Sequence, residues 1–328
     1  MKNILITGGA GFIGSNLAKE IQNQYPSCLI TIFDYFNTTE KRANGNFKYF
    51  GDYKNIVGIK SNIIVGDISI EDDVLNLLKG EYDIIFHQGA ISDTTVENQE
   101  EVLKTNLSTF NLFLNYCKNN RTKLVYASSA GTYGNSISPN IIGKGEVPEN
   151  IYGFSKLSMD ELARSFIKKN SNVHIVGLRY FNVYGPNELY KRKTSSMILQ
   201  LARQAMNKKE VKLFKFGEQK RDFVYIKDVV QANIKAIEGM SGVYNVGSGQ
   251  SRTFLDIIKN IELNINEKIE IDFIDNPYSF YQNNTLADLS SSIERINYKP
   301  EYNLENGIKD YMKTILNYSK KEWDDFEK

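Results

Sequence analysis

Asn3-Ile4-Leu5-Ile6-Thr7-Gly8-Gly9-Ala10-Gly11-Phe12-Ile13-Gly14 is the stretch whose reading decides the fold. Asn3–Thr7 is short, apolar and β-branched, as a buried strand should be, and Ser15–Gln24 carries a helical apolar pattern. The glycines fall between the two. Gly8 permits the tight turn, Gly11 lets backbone N–H groups approach a pyrophosphate, and Gly14 allows close packing of helix on strand. Phosphates would then face the start of the helix, beside Phe12 and Ile13. Asp34 ends the next strand, 20 residues past Gly14, where an acidic group meets an adenosine ribose.

Outward from this turn, strands and helices alternate. Leu29–Asp34, Ile63–Val65, Ile84–His87, Leu124–Ser128 and His174–Tyr180 read as buried strands. Glu71–Leu78, Glu101–Asn119 and Tyr152–Lys169 read as helices between them. This alternation predicts an α/β fold, a Rossmann-like doubly wound parallel sheet. After Tyr184-Gly185-Pro186 the alternation breaks up into Ser195–Met206, Val211–Phe214, Arg221–Ile226, Val229–Glu238, Val243–Val246, Thr253–Ile261 and Ile269–Ile274. We expect a nucleotide-binding domain over 1–182, with a segment returning near 222–248. A smaller α/β substrate-binding domain is expected mainly over 183–328. The tail 320–328 is charged and is expected to fray.

Composition narrows the function. The chain has 328 residues, with 40 Lys+Arg against 39 Asp+Glu. So even a balance gives no bulk attraction to nucleic acid or a membrane surface. No apolar run reaches the roughly 20 residues that span a bilayer, and glycines interrupt the opening apolar run, so a cytoplasmic protein is expected. Cys28 and Cys117 are too far apart for a zinc site or disulfide framework, and His87 and His174 are the two histidines. No metal site is expected, and acid–base work falls to Tyr, Lys, Asp or Glu. His87 reads as a core histidine and Cys117 as a small hydrophobe.

Tyr152 and Lys156 stand at i and i+4, on one helix face. An unperturbed tyrosine, with a pKa of about 10, is a poor base at neutral pH. A neighbouring ammonium and a cationic nicotinamide would lower it. Ser129 ends the fifth strand at its carboxyl edge, where ligands bind in such sheets. Lys41, beside Arg42, lies close enough in sequence to Asp34 to meet a ribose 2′-phosphate, which favours NADP over NAD and leaves NAD open. Asp67 points to the adenine edge. Gln88, Gly89 and Ala90 are expected to line the cofactor, with Asn106 fixing the backbone around it.

With these motifs assembled, the chain resembles the extended short-chain dehydrogenases/reductases that act on nucleotide sugars. The resemblance rests on Thr7–Gly14, Asp67, Ser129, Tyr152-x-x-x-Lys156, Arg179–Pro186 and Arg221-Asp222-Phe223-Val224-Tyr225, and so covers most of the chain. Within that superfamily it is most similar to the ADP-glyceromanno-heptose 6-epimerases of lipopolysaccharide core synthesis. Four features carry this: Phe86–Ala90 followed by Ser92–Thr95; Tyr126–Ala130; the Asn182…Lys191 spacing; and Lys212-Leu213-Phe214 shortly before Lys220-Arg221.

The resemblance implies that Tyr152 is one acid/base, helped by Lys156 and Ser129, and that Lys191 is the second, on the opposite face of the sugar. Lys193 stays open as an alternative to Lys191. It implies cofactor contacts at Tyr35, Lys41, Lys54, Ile68 and Val183. Substrate contacts would come from Ser92, Ser129, Asn182, Lys193, Gln200, Phe214, Arg221 and Tyr281, with Arg221 pairing with the diphosphate. ADP-heptose is the expected partner, and homo-oligomers built on the helices at 101–119 and 152–169 are expected by analogy. Two residues depart from the pattern: Arg192-Lys193-Thr194 stands where Gly-Ser is common after the lysine, and Gln200 stands where a histidine is found. Alternatives are another nucleotide-sugar epimerase or reductase, such as a hexose 4-epimerase, and a non-catalytic NADP binder. Ala130-Gly131-Thr132 lacks the acidic residues that a sugar 4,6-dehydratase carries after its serine.

Overall fold

The computed structural model describes residues 2–208, 210–275 and 284–327. Its first half is the expected alternation. The elements are β1 (Asn3–Thr7), α1 (Phe12–Gln24), β2 (Leu29–Asp34), β3 (Ser61–Val65), α2 (Glu71–Leu77), β4 (Ile84–His87), α3 (Gln99–Leu107), α4 (Phe110–Asn120), β5 (Lys123–Ser129), α5 (Ile151–Lys169) and β6 (Ile175–Tyr180). The second half adds β7 (Asn182–Tyr184), α6 (Met197–Lys208), β8 (Glu210–Phe214), β9 (Lys220–Tyr225), α7 (Ile226–Ala236), β10 (Gly242–Val246), β11 (Ser251–Thr253), α8 (Phe254–Ile265), β12 (Glu270–Ile274), α9 (Ser290–Ile296), α10 (Leu304–Ile315) and α11 (Lys320–Glu327).

Seven parallel strands form one sheet, in the order β10-β6-β5-β4-β1-β2-β3. This is a Rossmann-like α/β fold. β10 returns from the second half to the sheet edge beside β6, pairing Gly242 with Val176 through Val246 with Tyr180. The strand order reverses between β1 and β4, so a crevice opens at their carboxyl ends, where such sheets bind ligands. Two small sheets, β11-β9-β7 and β12-β8, stand beyond it. One hydrophobic cluster runs from Ile4 and Ile6 in β1 to Val211 in β8 and Ile308 in α10, and a second gathers Leu5 of β1, Ile85 of β4 and Phe113 of α4.

Three expectations need correction. The strand at 63–65 is not buried: Ile63 is 53% and Val65 68% exposed. β3 is the sheet's edge, and α2, seven residues long, is too short to cover it. The helix expected over 101–119 is two helices, broken at Ser108-Thr109. There the buried Thr109 hydroxyl donates to the Ile68 carbonyl at 2.6 Å, tying the break to the loop after β3. The tail does not fray. Trp323 and Phe326, three residues apart among charges, are both buried and make α11 an amphipathic cap on the turn at 189–194.

Among the described residues no helix is long and apolar enough to cross a membrane, and no cluster of metal-ligating side chains occurs. His87 is a core residue. Its Nδ1 shares a 2.8 Å hydrogen bond with Thr7 Oγ1, and burial pushes its pKa down to about 3, so the ring stays neutral.

Candidate functional site

The crevice is a cleft of about 790 Å³. One end is built from the glycine turn. Gly8 has φ +65°, and a Cβ there would lie 2.7 Å from Gly89 N; a Cβ at Gly14 would lie 2.2 Å from the Gly8 carbonyl oxygen. Gly14 thus lets the helix close onto the turn itself. Gly11 is the N-cap of α1 and gives it no side-chain cap. Its first-turn N–H groups at Phe12, Ile13 and Gly14 therefore have no intrahelical partner, and these residues line the cleft. An uncapped helix start behind a turn with no room for side chains fits a pyrophosphate. Asp34 faces this turn, accepting from Ala10 N at 2.8 Å.

At the other end, Asn150 caps α5 by accepting from Gly153 N, which sets Tyr152 in the first turn. Burial raises the Tyr152 phenol above its ordinary pKa, and a hydrogen bond with the Ser129 hydroxyl opposes this. Ser129 Oγ also accepts from Gly131 N at 3.0 Å. Lys156 Nζ donates to the Ala127 carbonyl at 2.8 Å, and burial lowers its pKa to about 8. Burial dominates the Tyr152 phenol, and the Lys156 ammonium gives one of its N–H groups to the Ala127 carbonyl. Behind Ser128 and Ser129 lies a buried ion pair: Arg179 Nε donates to Asp160 at 2.7 Å, and Asp160 also accepts from Tyr126 and Ser128 hydroxyls.

Lys191 reaches the cleft from the turn at 189–194. Its ammonium lies 5.6 Å from the Phe12 ring centroid. Burial lowers its pKa, while the charges of Glu188 and Asp93 oppose that. Glu188, fully buried, closes the turn on itself: it accepts from Gly185 N at 3.2 Å and from Ser196 Oγ at 2.7 Å.

The cleft brings together most of the expected residues. Gly8, Gly11, Phe12, Ile13, Gly14, Asp34, Tyr35, Asp67, Ile68, Gln88, Gly89, Ala90, Ser92, Ser129, Tyr152, Lys156, Asn182, Val183 and Lys191 all line it. Asn106 stands just behind, bonded to both backbone groups of Ile91 and to Ser155, so it ties the loop after β4 to α5. Other expected residues lie outside the lining. Lys41 sits on the Phe47 ring, 4.9 Å from its centroid. Lys54 pairs with Asp325 at 3.3 Å. Lys193 is exposed on the far side of the turn, and Gln200 spends its amide on the Lys193 and Ser195 carbonyls. Phe214 in β8 and Arg221 in β9 do not line the cleft, although Phe223 of β9 does. Tyr281 lies outside the described residues.

The structure also adds residues that the sequence reading missed. Arg42 and Lys48 line the cleft, with Arg42 Nε 3.1 Å from Glu101. Tyr49 donates to Asp67 at 3.3 Å and packs on Tyr35, ring centroids 4.1 Å apart. Thr194, Ser195 and Met197 line it beside Lys191. The concentration of cations at 41, 42 and 48 was the one available signal; the others follow from how distant loops meet.

Residues 4–247 match the family described as NAD dependent epimerase/dehydratase family. The chain is 47% identical to the Helicobacter pylori ADP-L-glycero-D-manno-heptose-6-epimerase, over 97% of each chain, with a TM-score of 0.87. It is 26% identical to the UDP-N-acetylglucosamine 4-epimerase of Methanobrevibacter ruminantium, over 96% of this chain and 98% of that one, with a TM-score of 0.84. It is also 26% identical to the UDP-glucuronic acid 4-epimerase of Bacillus cereus, solved with UDP-glucuronic acid and NAD, over 96% and 99% of the chains, with a TM-score of 0.80.

Proposed function

Because the chain belongs to the NAD dependent epimerase/dehydratase family, we propose that it is a nucleotide-sugar epimerase whose reaction inverts C6 of the heptose in ADP-D-glycero-D-manno-heptose. The product would be the L-glycero form used in lipopolysaccharide core synthesis. One observation carries the reading: Tyr152 and Lys191 enter a single cleft from different elements, next to a turn shaped for a dinucleotide. The 47% identity to a heptose 6-epimerase supports the choice of sugar.

The chemistry needs two proton-transfer groups. Direct removal of a proton from an unactivated carbinol carbon is prohibitively hard. NADP, when bound, supplies a reversible hydride acceptor and a positive charge beside the phenol. Tyr152 Oη takes the C6 hydroxyl proton from one epimer, and Ser129 donates to the same oxygen. C6 is then a ketone, and the sugar presents its other face within the cleft. Lys191 Nζ returns a proton to the oxygen as the hydride comes back to that face. The hydride that leaves the sugar is the one that returns, so no external oxidant or reductant is consumed; Tyr152 would start as the phenolate and Lys191 as the ammonium, and the proton gained by the first and lost by the second would be exchanged with solvent before the next turnover. Lys156 orients the cofactor side of the site. NADP is favoured over NAD by the cations at Lys41, Arg42 and Lys48, two of which line the cleft.

The test is NMR of the purified protein with ADP-D-glycero-β-D-manno-heptose and no added cofactor. Conversion to the L-glycero epimer is expected. No conversion, even with NADP⁺ supplied and bound, overturns the heptose assignment and sends the search to UDP- and GDP-sugars.

A further inference from the structure

Residues 40–48 form a small β-hairpin. Arg42 N donates to the Asn46 carbonyl at 2.8 Å and Lys48 N to the Glu40 carbonyl at 2.8 Å, with the turn at Gly45, φ +80°. Arg42 and Lys48 face the cleft from one wall; Ser92, Thr94 and Glu101 face it from another. The hairpin joins the two walls. Its exposed tip grips the loop after β4: Asn44 Nδ2 donates to Asp93 Oδ2 at 3.0 Å and to Thr95 Oγ1 at 2.9 Å, and Asn46 Nδ2 donates to Asp93 Oδ2 at 2.7 Å. Arg42 bridges to Glu101 on α3. On the other flank the Arg192 guanidinium lies 3.5 Å from the Phe47 ring centroid.

Asp93 is the centre of this clasp. It is 3% exposed, yet it does not line the cleft. Its other oxygen accepts from Thr95 N at 2.9 Å and Thr95 Oγ1 at 2.7 Å. Every hydrogen bond just described at this carboxylate serves either its own loop or the hairpin. Hydrogen bonds to a charged acceptor are among the stronger ones, and the acceptor itself is buried.

We propose that Asp93 is a positioning residue that holds the 40–48 hairpin shut across the cleft, so that the dinucleotide stays bound between hydride removal and return. The inference rests on the cleft being a dinucleotide site, but on neither the heptose nor the role of Lys191. Its functional sense is chemical. An enzyme that returns the same hydride gains nothing from exchanging its cofactor, and release of the reduced form after the first half of the cycle leaves an oxidised sugar behind.

The experiment loads the full chain with NADPH and follows release by fluorescence after adding excess NADP⁺. Asn44→Ala/Asn46→Ala removes the clasp at two positions that do not line the cleft, Asn44 exposed and Asn46 half-buried. Release is expected to quicken about tenfold or more, the loss of two bonds to a charged acceptor. Turnover at saturating dinucleotide should hold, and the dinucleotide concentration needed to reach it should rise. Asp93→Ala should quicken release in the same direction, and Asp93→Asn, which keeps one acceptor oxygen, should fall between; because the Asp93 charge also acts on Lys191, these two variants are read by release and the double variant by turnover. A merely structural role would lower turnover at saturation instead. Unchanged release in the double variant overturns the proposal. A wild type that takes up no NADPH overturns both it and the NADP reading, whereas uptake with unchanged release overturns the clasp alone.

Discussion

Tyr152 and Lys191 line one cleft but are held there in opposite ways. Tyr152 rides the first turn of a 19-residue helix capped by Asn150, and its partners Ser129 and Lys156 come from the adjoining strand end and the same helix. Lys191 rides a short 3-10 turn between longer elements. That turn is kept in place by Glu188 bonding across it to Gly185 and Ser196, by Phe47 stacked on the neighbouring Arg192, and by α11 packed behind. Arg192 even takes φ +53° there, and its Nε and Nη1 are buried without a partner. A side chain on regular structure inherits its position from the fold. A side chain on a turn needs contacts from far along the chain, so damage far from the chemistry should reach Lys191 and spare Tyr152.

The largest test removes the groups themselves. Tyr152→Phe should lower turnover about 10³-fold, within the usual range for a lost proton-transfer group, and leave dinucleotide binding intact. Lys191→Ala should cost about 10²-fold on the same grounds. The sharper measurement supplies each pure epimer to each variant and follows the absorbance of reduced dinucleotide. The Tyr152 variant should fail to oxidise one epimer and the Lys191 variant the other. If both variants fail on the same epimer, the two residues do not serve opposite faces.

A smaller effect should come from α11. Trp323 is 5% exposed, meets the Tyr318 ring edge to face at 5.2 Å and carries the Arg203 guanidinium at 4.7 Å. Trp323→Ala removes that anchor, a loss of about 3 kcal/mol for a buried aromatic. The expected outcome is a lowered melting temperature and about tenfold slower oxidation of the epimer that Lys191 serves, since a misplaced group loses alignment. Oxidation of the Tyr152-dependent epimer should be unchanged. Equal slowing of both would show that α11 supports the whole molecule and not the turn.

This contrast also explains what could be read in advance. The glycine turn and the Tyr152–Lys156 pair each lie within a few residues, and the sheet is announced by a repeated strand–helix pattern, so spacing and periodicity reveal them. The edge exposure of β3 depends on α2 being too short to cover it, which single-strand composition does not encode. α11 looked like a solvated tail because its two aromatics are outnumbered by charges; only the partner turn gives them a place to bury. The hairpin clasp joins residues 44 and 46 to 93, and the stack joins 47 to 192. No motif spans such separations. Arg221 and Phe214, carried over by resemblance, do not themselves line the cleft, although Phe223 of the same strand as Arg221 does, so their assignment to substrate depends on contacts beyond the cleft walls.

The smallest expected effect concerns Asp34, where the glycine turn meets the base of the hairpin. Burial pushes its pKa up to about 7, against the lowering effect of hydrogen bonds from the backbone at Ala10, Tyr35 and Gly11. The folded protein therefore holds this proton more tightly than the unfolded chain. Its contribution to stability is full below the ordinary carboxyl pKa of about 4 and is lost as pH rises through about 7. The same titration bears on cofactor choice. Below about 7 a neutral acid meets a ribose 2′-phosphate without repulsion; above it the carboxylate opposes the phosphate, leaving Lys41, Arg42 and Lys48 to compensate. The ratio of NADP to NAD affinity should fall several-fold across neutral pH, the size of one partly screened charge pair. The phosphate titrates near pH 6 on its own account, so the reading is the difference between wild type and Asp34→Asn measured by fluorescence titration. The variant should keep a higher ratio above neutrality and lose the downward trend. Matching curves would mean that Asp34 only braces the glycine turn and that the cations of the hairpin alone choose the dinucleotide.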